Sequence, residues 1–224
     1  MNVFIIIPSF NEAKVIKNTI SKLLHFGYKI VVVDDCSTDD TEMVVRDLPV
    51  IYIRHEINLG QGASLQTGMT YAIRMGADFA VHFDADGQHN PHDIPMFLNF
   101  IKANPFDVIL GSRFLKTEDK SSIPYRRKFL LRMAKIFNGV FTGLWLTDAH
   151  NGFRVMNKNA LVQIELTENR MAHATEILQV IKEKKLRYTE LPAHVTYTEY
   201  SISKGQNNLN AFNIVFDLLM KKLL

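Results

Sequence analysis

The sequence predicts an α/β protein with an open, mostly parallel sheet covered by helices on both faces. Short apolar, β-branched runs recur through the first half of the chain, and amphipathic segments with helical spacing separate them. The composition agrees, because 47% of the 224 residues are hydrophobic and 22% are charged, as in ordinary globular proteins. A chain of this length is typical of a single domain.

The strands are predicted where the apolar runs stand, at residues 3–7, 30–33, 50–53, 79–83 and 108–110. Helical spacing of apolar residues predicts helices at 13–24, 41–47, 63–75 and 92–103. Asn90 and Pro91 are a helix-capping side chain and a proline suited to the first helical position. Further along the chain we expect a helix at 174–185, a strand at 188–197 and an amphipathic helix at 210–224. Alternation of strands and helices predicts parallel pairing.

Charge and cysteine content exclude several classes of protein. The net charge of +3 is too small to indicate a nucleic-acid partner. Cys36 is the single cysteine, so no internal disulfide can form, and the sequence has neither a secretory leader nor an apolar run long enough to span a membrane. We therefore expect a cytoplasmic protein.

Polar side chains follow three of the predicted strands, where open α/β sheets bind their ligands. Asp84, Asp86 and Gln88 come directly after the fourth strand, and their hard oxygen atoms suit Mg²⁺ or Mn²⁺ bridging phosphates. For a bare D-x-D pattern, capping of the next helix is an equally good explanation, but the following Gln-His-Asn-Pro favours the metal site.

Two other segments are more ambiguous. The Asp34-Asp35 cluster after the second strand is also a helix-capping signature. Gly60 and Gly62 precede a helix, where a ligand could approach the backbone, although a turn that only starts the helix explains them as well. The glycine pattern of a dinucleotide-binding fingerprint is not met.

Taken together, the motifs resemble those of family 2 glycosyltransferases, within the branch that transfers mannose or glucose to dolichyl or polyprenyl phosphate. The resemblance covers residues 3–205, and its motifs occur in the family's order: Pro8-Ser9-Phe10-Asn11-Glu12, Asp34-Asp35-x-Ser37-x-Asp39, Asn58-x-Gly60-x-Gly62-Ala63-Ser64, Asp84-Ala85-Asp86-Gly87-Gln88-His89 and Gly111-Ser112-Arg113.

The resemblance implies a GT-A fold, with a nucleotide-sugar and metal-binding half at 1–115 and an acceptor-side half at 116–224. It implies metal binding by Asp84, Asp86 and Gln88. The residues implied in nucleotide-sugar binding are Pro8, Asn11, Glu12, Asp35, Gly60, Gly62, Asp84 and Lys204.

On the acceptor side, the resemblance implies that Arg113, Arg126 and Arg127 contact a phosphate, for which arginine is well suited. The expected catalytic residues are Asp86, Arg113 and, by its position alone, Glu176. Residues 148–154 match the family's D-x-x-S-G-F-R segment, with Asn151 where serine is usual; a role for Asp148 and a structural turn are both open.

The expected reaction is an inverting, metal-dependent transfer of a hexose, mannose or glucose, from a GDP- or UDP-sugar to polyprenyl phosphate. One alternative acceptor is a saccharide hydroxyl, including that of a lipid-linked saccharide, which would require a general base. Another alternative is a catalytically silent nucleotide-sugar-binding subunit of a membrane complex. The apolar face at 210–224 fits core packing, a homodimer contact or peripheral docking at the inner face of the plasma membrane, where a membrane-protein partner is a further alternative.

Overall fold

The structure is a computed structural model and describes residues 1–115, 136, 139, 143–149, 151–170 and 172–196. The elements within these ranges, in chain order, are β1 (Val3–Ser9), α1 (Ile16–Leu24), β2 (Lys29–Asp34), α2 (Thr41–Arg46), β3 (Ile51–Arg54), α3 (Gln61–Arg74), β4 (Phe79–His82), α4 (Asp93–Ala103), β5 (Val108–Ser112), β6 (Arg154–Asn157), α5 (Lys158–Gln163), α6 (His173–Glu183) and β7 (Tyr188–Pro192).

The strands form one seven-stranded sheet in the order β3-β2-β1-β4-β6-β5-β7. All neighbouring pairs are parallel except those of β6, which is antiparallel to both β4 and β5. Because β6 and β7 pair with strands from the first half of the chain, both halves share one sheet. The predicted α/β fold with a mostly parallel sheet is confirmed.

Two hydrophobic layers cover the sheet. Alternate residues of β1 point to opposite faces, so Phe4 and Ile6 pack with α3, α5 and α6, while Ile5 and Ile7 pack with α1, α2 and α4. All four side chains are buried. Helices therefore lie on both faces, as the continuous apolar runs predicted.

The predicted strands of the first half occur within two residues of their expected ends, but β6 and α5 were not predicted. The four residues of β6 include Arg154 and Asn157, so they lack the apolar run by which the other strands were recognised. The helix expected from residue 13 begins at Ile16, and Asn90 accepts a hydrogen bond from the backbone N of His92 just before α4. The strand expected at 188–197 ends at Pro192, and residue 197 lies outside the described ranges.

The order of the strands places a topological switch point between β1 and β4. The chain runs from β1 outward to β2 and β3, then returns to place β4 on the other side of β1. The strand order reverses there, and in open α/β sheets ligands bind outside the carboxyl ends of the strands at such a point. The acidic residues after β4 lie at this point. Among the described helices, none is long and apolar enough to cross a membrane.

Candidate active site at the carboxyl edge of the sheet

Asp84 lies two residues beyond β4, and each of its two carboxylate oxygens contacts a different side chain. Gln61 Nε2 donates to its Oδ1 at 3.2 Å, and His89 Nε2 lies 3.0 Å from its Oδ2. Burial favours the neutral acid, but the hydrogen bond and charge of His89, followed by the charges of Arg154 and His173, lower the pKa of Asp84. Its carboxylate is therefore ionised and fixed in orientation.

Asp86 is in the opposite electrostatic situation. Its Oδ1 accepts a hydrogen bond from the backbone N of Gln88 at 3.0 Å. Burial, together with the negative charges of Asp84 and Glu12, raises the pKa of Asp86 from 3.8 to about 6. Burial is the larger cause of the raised pKa and the nearby negative charges add to it, so a bound cation would stabilise the ionised Asp86.

Three buried basic side chains interact with Asp84. His82 and Arg154 face each other in the register of β4 and β6, and His173 begins α6. Burial, then the neighbouring Arg154 charge, lowers the pKa of His173 to about 4, and burial lowers the pKa of Arg154 to about 10. Burial also lowers the pKa of His82 well below its ordinary value, so both histidines are neutral at pH 7 and Arg154 is the one of the three that carries a charge there. Arg154 supplies positive charge to Asp84 and Asp148, although one of its terminal nitrogens has no hydrogen-bond partner among the residues that the structure describes.

Gly152 allows the chain to pass directly beside Asp84. A Cβ added at Gly152 would lie 2.3 Å from Asp84 Oδ2, which is closer than any real contact of this kind. The following residue, Phe153, packs its ring against those of Phe83, His89 and Phe97. The segment that matches the family motif thus shapes the wall behind the Asp84 carboxylate.

The donor set suits a divalent cation that also binds a diphosphate. The described residues contain no group of three or more His, Cys, Asp or Glu side chains placed to hold a metal by themselves. Mg²⁺ is commonly bound through one or two carboxylates together with substrate phosphates, and the pair of carboxylates at Asp84 and Asp86 fits that pattern. The side chain of Gln88 belongs to the same loop, and its role as a ligand stays a prediction.

The Asp34-Asp35 cluster is saturated with hydrogen bonds from the protein. Asp34 accepts from Ser37 N, Ser37 Oγ and Tyr52 Oη. Asp35 accepts from the backbone N of Leu59 and of Gly60, and lies 2.8 Å from His55 Nδ1. Contact of Asp35 with the nucleotide stays a prediction; in the structure its carboxylate holds the 55–60 loop.

The first motif, residues 8–12, also forms hydrogen bonds with other parts of the protein. Asn11 adopts a positive φ of 55°, and its Oδ1 accepts from the backbone N of Thr38 and of Asp39. The backbone oxygen of Glu12 accepts hydrogen bonds from the backbone N of Val15 and of Ile16, at the start of α1. The carboxylate of Glu12 helps to raise the pKa of Asp86. Pro8 is buried in β1 opposite Val33. Of the three, Glu12 is electrostatically linked to the acidic pair.

Gly60 and Gly62 admit a second backbone segment. A Cβ at Gly60 would lie 2.4 Å from the carbonyl oxygen of Asn169, and one at Gly62 would lie 1.9 Å from that of Glu168. The backbone N of Ala63 donates to Asn169 O at 3.2 Å. These glycines are required by close packing of residues 168–169, and their predicted approach to the nucleoside remains untested.

Arg113 is bound to Asp148. Its Nε and one terminal nitrogen donate to the two oxygens of Asp148 at 2.6 and 2.7 Å, and its backbone N donates as well. The Arg113 hydrogen bonds and charge outweigh burial and lower the pKa of Asp148. Glu190 accepts from the backbone N of both Thr147 and Asp148, which fixes the turn that carries this ion pair.

Glu176, predicted as a catalytic residue by position, has both carboxylate oxygens engaged. Oε1 accepts from Thr167 N at 2.9 Å, and Oε2 accepts from Glu168 N at 3.0 Å. The structure thus favours an anchoring role for Glu176, which holds the segment that packs on Gly60 and Gly62.

Comparison with known proteins decides the family. Residues 4–164 match the family described as Glycosyl transferase family 2. The chain is a family 2 glycosyltransferase. It is 34% identical, over 99% of its length and 96% of the relative's, to a UDP-N-acetylglucosamine–dolichyl-phosphate N-acetylglucosaminyltransferase of Methanococcus voltae. It is 31% identical to a dolichol-phosphate mannosyltransferase of Pyrococcus furiosus, over 86% of this chain and 56% of that one.

Solved structures confirm the fold of this glycosyltransferase. Glucosyl-3-phosphoglycerate synthase from Mycobacterium tuberculosis, crystallised with Mn²⁺ and UDP-glucose, superposes with a TM-score of 0.73 at 12% identity, covering 97% of this chain and 76% of that one. At this identity the likeness concerns the fold alone, and it agrees with the GT-A fold implied by the motifs.

Several predicted site residues of the glycosyltransferase lie outside the described ranges. They are Arg126 and Arg127 in the basic segment 120–135, Lys204, and the amphipathic segment 210–224. Conversely, His89 and Arg154 belong to motifs of the family, but the sequence predicted no role for either of them. The histidine could have been recognised from its position beside Gln88, whereas only the pairing of β6 with β4 brings Arg154 to Asp84.

Proposed function

We propose that this glycosyltransferase transfers a sugar from a nucleotide sugar to a polyprenyl phosphate, with inversion at the anomeric carbon and with Mg²⁺ or Mn²⁺. The observation that carries the proposal is the Asp84–Asp86 pair at the switch point, where the ionised Asp84 lies beside an Asp86 whose buried carboxylate a cation would stabilise. The names of the relatives support the acceptor, and the Mn²⁺ in the complex of the structural neighbour agrees with the choice of metal.

We assign Asp84, Asp86 and Gln88 to the cation, and Asp84 also to binding of the nucleotide sugar. When bound, the cation would neutralise charge on the departing nucleoside diphosphate. Asp84 arrives in a fixed orientation because Gln61 and His89 bond to separate oxygens of its carboxylate. Such preorganised groups lower the reorganisation needed when charge develops.

A phosphate acceptor is already an anion, so the reaction needs no general base. This agrees with a Glu176 whose oxygens both bond to the 167–168 segment. We propose that Arg113, oriented by Asp148, faces the acceptor phosphate, with Arg126 and Arg127 as further contacts. Arginine suits this role because its guanidinium binds phosphate through two donors.

The donor remains to be chosen among nucleotide sugars. The motifs favour mannose or glucose from GDP or UDP, whereas the relative that matches nearly the whole chain is named for UDP-N-acetylglucosamine. We therefore place UDP-N-acetylglucosamine first among the donors to be tested, followed by GDP-mannose and UDP-glucose.

A polyprenyl phosphate resides in a membrane, so the enzyme must act at the membrane surface. We propose peripheral association at the cytoplasmic face, through residues 210–224 or through a membrane-protein partner. If residues 210–224 make the contact, their removal should reduce binding to vesicles that contain polyprenyl phosphate without abolishing nucleotide binding; unchanged vesicle binding would favour the partner.

The test is turnover of these donors with a short-chain polyprenyl phosphate, in EDTA and in Mg²⁺ or Mn²⁺, with detection of the nucleoside diphosphate and the glycolipid. Formation of a lipid-phosphate sugar of inverted configuration only when metal is present is the expected result. Glycolipid formation at full rate in EDTA would contradict the metal assignment. Release of nucleotide without a lipid product would contradict the acceptor.

A further inference from the structure

Residues 194–196, just after β7, pack on the loop that carries the predicted metal ligands. The backbone N of Thr196 donates to Gln88 O at 2.8 Å, and that of Asn90 donates to His194 O at 3.2 Å. His89 and Val195 form an antiparallel bridge between these two bonds. The far end of the loop is therefore paired with a segment that is distant in sequence.

Asp93 fastens this segment in place. It is the first residue of α4 and is only 4% exposed. Its Oδ2 accepts from the backbone N of His194 at 2.7 Å, and its Oδ1 lies 2.8 Å from His194 Nδ1. One carboxylate thus bonds both the backbone and the ring of the same residue, which restricts its position more than a single contact would.

These contacts continue to the acidic pair. Thr196 bonds to the backbone oxygen of Gln88, and the backbone N of Gln88 bonds to Asp86 Oδ1 at 3.0 Å. Hydrogen bonds, linked through the backbone of residues 194–196 and of Gln88, therefore connect α4 with Asp86. Neither Asp93 nor His194 belongs to the D-x-D-x-Q motif.

We propose that Asp93 and His194 are positioning residues of the donor site. They hold the Gln88 end of the loop in the conformation in which Asp86 and Gln88 receive the metal and the diphosphate. This role rests on the proposed metal-dependent function. Partners that orient metal ligands from behind commonly contribute about 10- to 100-fold to metal affinity or activity.

The first experiment measures amide hydrogen exchange in the intact chain, because it needs no substrate. In His194→Ala, which removes a side chain that is 43% exposed, we expect faster exchange at Asn90 and Thr196 while the global fold is retained. Asp93→Asn should stay close to wild type, since asparagine can accept from the backbone N and donate to the ring. Asp93→Ala should exchange faster than either.

A matched control is available at the amino ends of β5 and β7, which are the ends away from the candidate site. Asp107 and Arg187 likewise pair a buried carboxylate with an exposed basic side chain, at 3.2 Å. Arg187→Ala should leave exchange at Asn90 and Thr196 unchanged. Equal acceleration in the control, or none in His194→Ala, would overturn the proposal.

The second experiment measures binding of Mn²⁺ in the presence of UDP or GDP, by electron paramagnetic resonance. His194→Ala should weaken Mn²⁺ binding about 10-fold or more, Asp93→Asn should restore most of it, and Arg187→Ala should match wild type. Unchanged Mn²⁺ affinity in His194→Ala would overturn the positioning role. Failure of the proposed function would instead appear in the wild type, as nucleotide binding that is indifferent to Mn²⁺.

Discussion

Two pairs of acidic residues stand at the carboxyl ends of β2 and β4, the strands that flank β1 in the sheet, yet they differ in their bonding. Asp34 and Asp35 after β2 accept hydrogen bonds from distant side chains and backbone groups, which satisfy the carboxylates inside the protein. Asp86 after β4 has one backbone donor and faces the charges of Asp84 and Glu12. The first pair builds the loops around the site, whereas the second contains Asp86, whose negative charge a ligand can balance.

The largest effect is expected from removing one acid of the second pair. Asp86→Asn should reduce turnover by about 10²- to 10³-fold, because loss of metal-dependent charge stabilisation is worth several kcal/mol. The matched variant, Asp34→Asn, should retain much more of the activity of its folded fraction. Steady-state kinetics of both variants checks this, and equal losses would erase the functional distinction between the two pairs.

The same two variants should change stability in opposite directions. The raised pKa of Asp86 means that the metal-free protein loses stability as the pH rises from about 4 to about 6, and this loss is complete at pH 7. Asp86→Asn should therefore raise the metal-free free energy of unfolding at pH 7 by about 1–2 kcal/mol, after allowance for solvent screening. Asp34→Asn should lower it by about 1–3 kcal/mol, since buried donors lose their partner. Urea unfolding in EDTA measures both, and a destabilised Asp86→Asn would contradict the raised pKa of Asp86.

A substitution next to Asp84 tests whether activity depends on the position of its carboxylate. Gly152→Ala places a methyl group against Asp84 Oδ2, so the carboxylate must move, and we expect a loss of activity of about 10- to 100-fold. Gly76→Ala is the control: its φ of +70° makes it destabilising, but its Cβ meets nothing within 4 Å. Kinetics and thermal unfolding of both variants should separate loss of activity from loss of stability. Similar kinetics in the two variants would show that the position of Asp84 is not critical.

The pH dependence of metal binding should reflect Asp86. Because a proton competes with the cation for the carboxylate, Mn²⁺ affinity should fall about tenfold for each pH unit below about 6 and level off above it. Titration of the protein with Mn²⁺ in the presence of UDP or GDP, at several pH values from about 4.5 to about 8, tests this. An affinity that is constant down to pH 4.5 would place the cation away from Asp86.

The smallest effect on activity is expected at Glu176, whose bonding resembles that of Asp34. Glu176→Gln should change kcat only about twofold to fivefold and lower the free energy of unfolding by about 1 kcal/mol, since it weakens an anchor of the 167–168 segment. A general base would lose about 10²- to 10⁴-fold. Single-turnover rates distinguish the two, and a loss in the second range would restore the catalytic prediction.

The apolar runs and their spacing were sufficient to predict β1 to β5, because burial on both faces demands continuous apolar strands. β6 could not be predicted in this way, since Arg154 and Asn157 obtain their partners from other strands and loops. The acidic motifs were likewise located correctly at strand ends, but their different roles were not visible. Those roles depend on donors such as Tyr52 and Leu59, which only folding brings near.

The fold class, the family and the edge of the sheet that carries the site can all be inferred from the amino-acid sequence alone. These depend on local patterns of hydrophobicity and on motifs that can be read along the chain. The tertiary structure decided which carboxylates are consumed by internal hydrogen bonds, why Gly62 must be a glycine, and how Arg154 and His194 reach the loop of Asp84 and Asp86. Such properties arise from contacts between residues far apart in sequence, because electrostatics and packing act through space and not along the chain.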